Sequence, residues 1–434
     1  MVTRTTTAIA RLWGQDIGAV SWLPDRELAA FEFEPRFLAL GLDVAPLVMP
    51  RARARGQVFV FPTLNRETFM GLPGLLADAL PDKFGNALID AWLARTGRVI
   101  AEFNPVERLC YMGDRGMGAL EFRPALNTDL KRRVSVDIAE LVALAREVTA
   151  ARDRLDARVG SGDGPDAEAL RDILRVGTSA GGARAKAVIA MNGAGRILSG
   201  QGPVPEGYDH WLLKFDGVAD LELGKTRDHG RIEYAYSLMA SAAGITMSEC
   251  RLLEENGRAH FLTKRFDRGT LGKRHLQSLC GLAHYDYNAP GAYGYEQVFA
   301  VMRELRLPRA EAVQQYRRML FNVVARNQDD HTKNIAFLMD QDGQWRLAPA
   351  FDMIYAHNPG GRWTSRHQMT INGKRDGFTR DDLLAVGRSL GIHAPDRMLG
   401  EIVDVVARWP DYARETGVNP ARAREILSTL RLAW

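Results

Sequence analysis

Over the first 125 positions, apolar residues come in short strand-length runs. These are Ala8–Trp13, Leu28–Phe33, Val58–Phe61 and Met117–Phe122, with Gly and Pro between them. Leu75–Phe84 and Asn86–Thr96 read as helix-forming. From Asp137 to Arg158 the spacing changes: Ile138, Leu141, Leu144, Val148 and Leu155 fall on one face of an amphipathic helix. Gly160-Ser161-Gly162-Asp163-Gly164-Pro165 then breaks the pattern and predicts a linker. Beyond it, strands are predicted at Ala187–Met191, Trp211–Phe215, Cys250–Leu253 and His260–Lys264, with a helix at Glu233–Ala243. After Gly281 helices dominate. The exception is a hairpin with one strand at Ile335–Met339, a turn at Asp342-Gly343 and a return strand at Trp345–Leu347. The expected layout is a strand-rich subdomain over 1–125, a helix and linker over 126–165, a strand-rich lobe over 166–268 and a helical lobe over 269–434. That is an α+β fold of two lobes with an added N-terminal subdomain.

Composition narrows this little. At 434 residues the chain is too long for one small core, and 46% hydrophobic with 25% charged residues is ordinary for a soluble protein. A net charge of +4 favours anionic partners without arguing for nucleic acid. Cys110, Cys250 and Cys280 are scattered, with neither a disulfide framework nor a metal-binding pair, which suits a reducing cytoplasm. Neither a secretory signal nor a membrane-length apolar run is evident. The basic clusters Arg51–Arg55 and Lys131–Arg133 lack interleaved aromatics and read as solvated loops or accessory phosphate contacts.

The candidate chemistry concentrates in Asn327-Gln328-Asp329-Asp330-His331-Thr332-Lys333-Asn334. Asp329 and Asn334 stand five positions apart, the spacing of a kinase catalytic loop, with a carboxylate to accept a hydroxyl proton and an amide oxygen for Mg²⁺. The predicted hairpin would return the chain so that Asp352 lies near Asn334, giving two oxygen ligands for a hard cation. Lys333 would neutralise a transferring phosphoryl group. His331 is a candidate nucleotide contact, ligand or base, against the alternative of a hydrogen-bonded structural histidine. Asp330 is expected to be a solvated or supporting acid. A zinc site is disfavoured by the lack of thiol pairs or His-x-x-x-His spacing.

Upstream, Gly177-Thr178-Ser179-Ala180-Gly181-Gly182-Ala183-Arg184-Ala185-Lys186 is an anion-nest candidate; an ordinary Gly-rich hairpin turn is the other reading. Lys214 sits in an otherwise buried strand, so it either meets a phosphate or snorkels from a sheet edge. Glu233, read as opening the next helix, is either its ion-pair partner or a first-turn acid favoured by the helix dipole.

Taken in order, these motifs resemble the HipA serine/threonine kinases, toxins of bacterial type II toxin–antitoxin systems. The resemblance rests on Asn327–Asn334 with Leu347–Asp352, on Ser179–Lys186, on Lys264-Arg265-Phe266-Asp267-Arg268 and on His275–Cys280. It continues in Leu80–Gly85 and Gly116–Phe122. It implies a bilobal protein-kinase-like fold that uses ATP and Mg²⁺, with Asp329 as base and Lys333 beside it. Asn334 and Asp352 would be the metal ligands. Ser179, Gly181, Gly182, Lys186, Lys214 and His331 would bind ATP, with Lys264 and Phe266 at the adenine. Ser179 would be the autophosphorylated serine that shuts the kinase off. It also implies an aminoacyl-tRNA synthetase as acceptor, a small DNA-binding HipB-type antitoxin as partner, and operator DNA reached mainly through that antitoxin. Asp330 stands where many relatives carry glycine, and Arg184 where glutamine is common. A catalytically weak kinase-like corepressor and a small-molecule kinase are the rival readings.

Overall fold

The computed structural model describes residues 5–81, 83–95, 99, 103–126, 136–151, 184–218, 228–269 and 272–434. The linker predicted at 160–165 and the basic cluster Lys131–Arg133 lie outside the described residues. The chain forms two compact units. One comprises Met1–Val44, Met49–Gly230 and Arg251–Leu276; the other comprises Ala45–Val48, Arg231–Cys250 and Gln277–Trp434.

The first unit carries two five-stranded sheets. Strands β1 (Thr7–Leu12), β2 (Gln15–Leu23), β3 (Leu28–Phe33), β4 (Val58–Phe59) and β5 (Leu120–Arg123) are ordered β4-β3-β2-β1-β5, each pair antiparallel. Alternation decides the face of β1: Ala8, Ala10 and Leu12 are buried between more accessible neighbours. Trp13 and Gly14 join β1 to β2 with φ of 48° and 81°, the pair of positive values a two-residue primed turn requires.

The second sheet has β6 (Lys186–Asn192), β7 (Ile197–Ser199), β8 (Tyr208–Lys214), β9 (Cys250–Glu255) and β10 (Arg258–Lys264), ordered β7-β6-β8-β10-β9. Asn256-Gly257 turns β9 into β10 with φ of 45° and 74°. Trp211 and Leu213 of β8 and Ala187 and Ile189 of β6 share one core with Leu88 and Leu93 from the helix Lys83–Arg95 and with Leu141 and Val142 from the helix Ile138–Ala151.

Two helix expectations need correction. Leu75–Phe84 is not one helix. A single turn at Gly74–Ala77 ends before Pro81, and a separate helix runs from Lys83 to Arg95. Proline disfavours helical backbone in the residue before it and lacks an N–H of its own, so the break falls there. The helix expected to open at Glu233 starts at His229 and runs to Ala242, so Glu233 lies past the first residues that a helix dipole favours for acids.

The second unit is mainly helical. Its central helix, Arg309–Val324, buries Tyr316, Met319, Leu320, Phe321, Val323 and Val324. Tyr236 packs edge-on against Phe321 and Trp409 and donates its hydroxyl to the Ala325 carbonyl at 2.7 Å, which fixes the end of that helix. Strands β12 (Ala336–Met339) and β13 (Trp345–Leu347) form the predicted hairpin and join β11 (His275–Ser278) in a three-stranded sheet. The Asp340 carboxylate organises the hairpin turn by accepting from the Asp342 and Gln344 amides at 3.1 and 2.9 Å. No helix among the described residues is long and apolar enough to cross a membrane.

Candidate active site

The site in the second unit is built on the end of the helix Arg309–Val324. Helical backbone stops at Arg326, whose φ is 56°. The chain then runs beside the segment that follows Asp352. Asn327 bridges in parallel to Ala356, the Gln328 amide donates to the Ala356 carbonyl at 3.0 Å, and the Ala356 amide donates to the Arg326 carbonyl at 3.0 Å. The two ends of the motif thus meet through backbone hydrogen bonds, before any side chain is considered.

The loop itself closes on the Asp-x-x-x-x-Asn spacing. Thr332–Asn334 form one 3-10 turn, and the Asn334 amide nitrogen Nδ2 donates to the Asp329 carbonyl at 2.8 Å. That bond fixes the Asn334 side chain so that Oδ1, an oxygen of the kind a hard cation takes, is the end of the amide not engaged with the loop. The Thr332 hydroxyl donates to the Tyr285 carbonyl at 2.7 Å.

After Asn334 the hairpin goes out and back. The Ala348 amide donates to the Ala336 carbonyl at 2.9 Å, and the chain reaches Asp352 in left-handed backbone with φ of 53°. A non-glycine residue held there stores local strain, and such residues cluster at functional sites. Asn334, Asp352, His331, Asp330 and Asn327 all line one pocket. On its wall the Asn327 Oδ1 atom is buried without a hydrogen-bond partner. An oxygen-only donor set with a spare buried oxygen suits a hard cation that also keeps waters and phosphate oxygens. Among the described residues no group of three His, Cys, Asp or Glu is placed to hold a metal, a set that a two-ligand Mg²⁺ site does not need.

Asp329 and Asp330 are adjacent and in opposite environments. The Asp329 side chain is 47% exposed, with the His331 Nε2 atom 4.0 Å away. Asp330 is buried, which decides between the two readings in favour of a supporting acid. Its carboxylate accepts from the Tyr295 hydroxyl at 2.9 Å, from His367 Nδ1 at 2.8 Å and from the Gln368 amide at 2.8 Å. Burial pushes its pKa up, but His367 and the hydrogen bonds outweigh burial and hold it below the usual carboxylate value. The Lys333 ammonium lies 5.2 Å from the centre of the Tyr287 ring, which also sits 5.4 Å from the His331 ring. The His331 Nδ1 atom is buried without a hydrogen-bond partner, and the residue lines the pocket.

The remaining candidate residues belong to the first unit. Ser179, Gly181 and Gly182 lie outside the described residues. Lys186 and Lys214 are both buried and stand directly opposite each other on neighbouring strands β6 and β8. The sheet order makes β8 a central strand, so Lys214 is no edge lysine. Its ammonium lies 5.7 Å from the Phe261 ring centre. The Lys264 ammonium pairs with Asp209 at 2.7 Å, and Phe266 is half-buried between two buried residues.

Those neighbours belong to a cluster that the motifs did not disclose. Asp267 is fully buried and accepts from Arg265 Nε at 2.9 Å, from an Arg268 nitrogen at 2.7 Å and from the Gly118 amide at 2.6 Å. Both arginines also donate to the Gly116 carbonyl, at 3.3 and 3.1 Å. Gly118 has φ of 77°, and an added Cβ would lie 3.0 Å from Leu276, so the position requires glycine. Neither this cluster nor the partners of Asp330 carry a local signal. Gly118 is 149 residues from Asp267, and Tyr295, His367 and Gln368 are 35, 37 and 38 residues from Asp330.

Comparison with known proteins gives two family matches. Residues 8–123 match the HipA N-terminal domain, and residues 178–433 match the HipA-like C-terminal domain. A putative kinase of Sinorhizobium fredii is 25% identical over 126 residues, 27% of this chain and 30% of that protein. The match therefore spans less than a third of that relative's length. Among solved structures, a Shewanella oneidensis HipA determined with HipB and its operator DNA shares 16% identity. It superposes with a TM-score of 0.64 over 97% of this chain and 94% of that one. The fold is thus the α+β, kinase-like fold of that structure.

Proposed function

The chain belongs to the HipA family, and from that premise we propose that it is an ATP-dependent serine/threonine protein kinase that acts as a toxin in the cytoplasm. The observation that carries the reading is the closure of Asp329 onto Asn334, together with the shared pocket of Asn334 and Asp352. Asp329, half-exposed, accepts the acceptor hydroxyl proton as the hydroxyl oxygen attacks the γ-phosphorus, the bond to the β,γ-bridging oxygen breaks and ADP leaves. Asn334 and Asp352 hold Mg²⁺, which when bound neutralises phosphate charge. Lys333 supplies a cation beside the base. His331 contacts the nucleotide through its buried, unpartnered Nδ1.

In the first unit, Lys186 and Lys214 take the negative charge of the ATP phosphates, together with the backbone of Ser179, Gly181 and Gly182. The backbone at Lys264 and Phe266 receives adenine. Ser179 is the autophosphorylation site: nearly two added negative charges in a phosphate-binding loop oppose ATP binding. The acceptor is an aminoacyl-tRNA synthetase. A HipB-type antitoxin restrains the kinase and supplies the contact with operator DNA. The solved relative with HipB and operator DNA supports that partnership.

Phosphopeptide mass spectrometry after induced expression tests the reading. New phosphoserine or phosphothreonine on a synthetase, absent with Asp329→Gln, is the expected result. Induction that leaves the phosphoproteome unchanged contradicts it. Ser179→Ala should remove phosphate from the 177–186 segment; a dominant autophosphorylation site elsewhere refutes that assignment.

A further inference from the structure

Asp330 is a carboxylate whose burial needs a reason. Taking an ion out of water costs several kcal/mol unless hydrogen bonds replace the water, and an apolar side chain would fill the space at less cost. Asp330 accepts from Tyr295, His367 and the Gln368 amide. An ionised carboxylate only accepts, so His367 Nδ1 carries the proton.

The donors form two supports. His367 and Gln368 belong to the segment following Asp352, and that segment is itself pinned. The His367 amide donates to the Arg375 carbonyl at 3.1 Å, Arg375 Nε donates to the His367 carbonyl at 2.6 Å, and the Gln368 carbonyl accepts from the Gly291 amide at 2.8 Å. The other support returns to the loop. The Tyr295 hydroxyl that donates to Asp330 accepts from Asn322 Nδ2 at 3.0 Å, and Asn322 Oδ1 accepts from Asn327 Nδ2 at 2.9 Å. Asn327 and Asp330 lie on either side of Gln328 and Asp329. The ring Asn327–Asn322–Tyr295–Asp330 therefore grips the loop both before and after Asp329, and its members line the pocket of Asn334 and Asp352.

We propose that Asp330 is a positioning residue, which fastens the loop carrying Asp329 to the helices beneath it and to the segment Trp363–Phe378. The inference rests on the phosphotransfer reading above. Turnover then depends on order in Trp363–Phe378, because releasing that segment removes two of the three donors that hold Asp330. Asp330→Asn keeps the shape but places an NH₂ against donors. Tyr295→Phe removes one hydroxyl and opens the ring.

The test uses the full-length protein and [γ-³²P]ATP with Mg²⁺. It reads single-turnover autophosphorylation against ATP concentration, with hydrogen exchange measured on the same samples. Asp330→Asn should slow the saturated rate about 10- to 100-fold, the scale of a misplaced reacting group, with half-saturating ATP unchanged. Tyr295→Phe should slow it less, and the double variant no more than Asp330→Asn alone. Exchange should rise in 327–334 and 363–378 and not elsewhere. A wild-type rate in Asp330→Asn, a loss no greater than the unfolded fraction, or additive losses in the double variant overturn the proposal. Wild-type protein that transfers no phosphate counts against the kinase reading. The exchange pattern then decides the fastening role alone: a rise in both segments supports it, and no rise overturns it.

Discussion

Asp267 gives the sharpest stability prediction. Its side chain is 0% exposed, and Arg265 beside it is 1% exposed, so neither charge keeps its water. Burial works to raise the Asp267 pKa, but Arg265 and Arg268 hold the carboxyl far below the usual carboxylate range. Asp267→Asn removes the charge while keeping the shape. It leaves two guanidiniums with no carboxylate between them, and burial already lowers the pKa of Arg268 to about 10. Removing one partner of a buried ion pair costs about 3–5 kcal/mol. At 1.4 kcal/mol per tenfold, that is about a 10²- to 4 × 10³-fold loss in the folding equilibrium of the first unit. The control is the Lys264–Asp209 pair, also 2.7 Å long but 37% and 53% exposed, for which Asp209→Asn should cost less than about 1 kcal/mol. Urea titration read by hydrogen exchange of the 116–122 and 258–266 peptides separates the two. The pH dependence has a fixed sign. The folded pKa lies below the unfolded value of about 3.9, so the stabilisation is present above that value and is lost as pH falls through and below it. Asp267→Asn should flatten that acid limb. Equal losses in the two variants, or a loss below about 1 kcal/mol for Asp267→Asn, refute the reasoning.

Burial lowers the pKa of His275 from 6.5 to about 4. The unfolded chain therefore takes up a proton first as pH falls, and this histidine should contribute a stability loss of up to ~3 kcal/mol between about pH 6.5 and 4. His275→Gln should remove that dependence in an equilibrium-unfolding pH series; an unchanged acid slope contradicts the assignment. Gly118→Ala forces an L side chain to φ of 77° with Cβ 3.0 Å from Leu276. It should destabilise the first unit by at least about 1 kcal/mol in the same urea titration, and a neutral result would show that the Gly116–Phe122 turn relaxes freely.

Legibility in the sequence followed distance along the chain. The hairpin was legible because apolar Ala336–Met339, the Asp342-Gly343 turn and Trp345–Leu347 are local signals, and each expected element stands in place. Asn334 and Asp352 share a pocket for the same reason. For Asp330 the sequence left a solvated and a supporting acid both open, because the partners that decide between them lie 35 or more residues away. Helix boundaries failed where one residue decides them. Pro81 splits an apolar run, and the helix begins at His229-Gly230, ahead of Ile232, the first residue of its buried apolar stripe. Lys264–Arg268 and Gly116–Phe122 are legible as separate motifs but their contact is not, since only the fold brings Gly116 and Gly118 to Arg265, Asp267 and Arg268.

The central claim is that Asp329 accepts the proton of a hydroxyl receiving the γ-phosphoryl group. Side-by-side initial rates of phosphate transfer from [γ-³²P]ATP by wild type and Asp329→Gln, at saturating ATP and Mg²⁺, test it most directly. Loss of a general base predicts a fall of about 10²- to 10⁴-fold with the fold and ATP half-saturation retained. Equal rates in the two proteins contradict it.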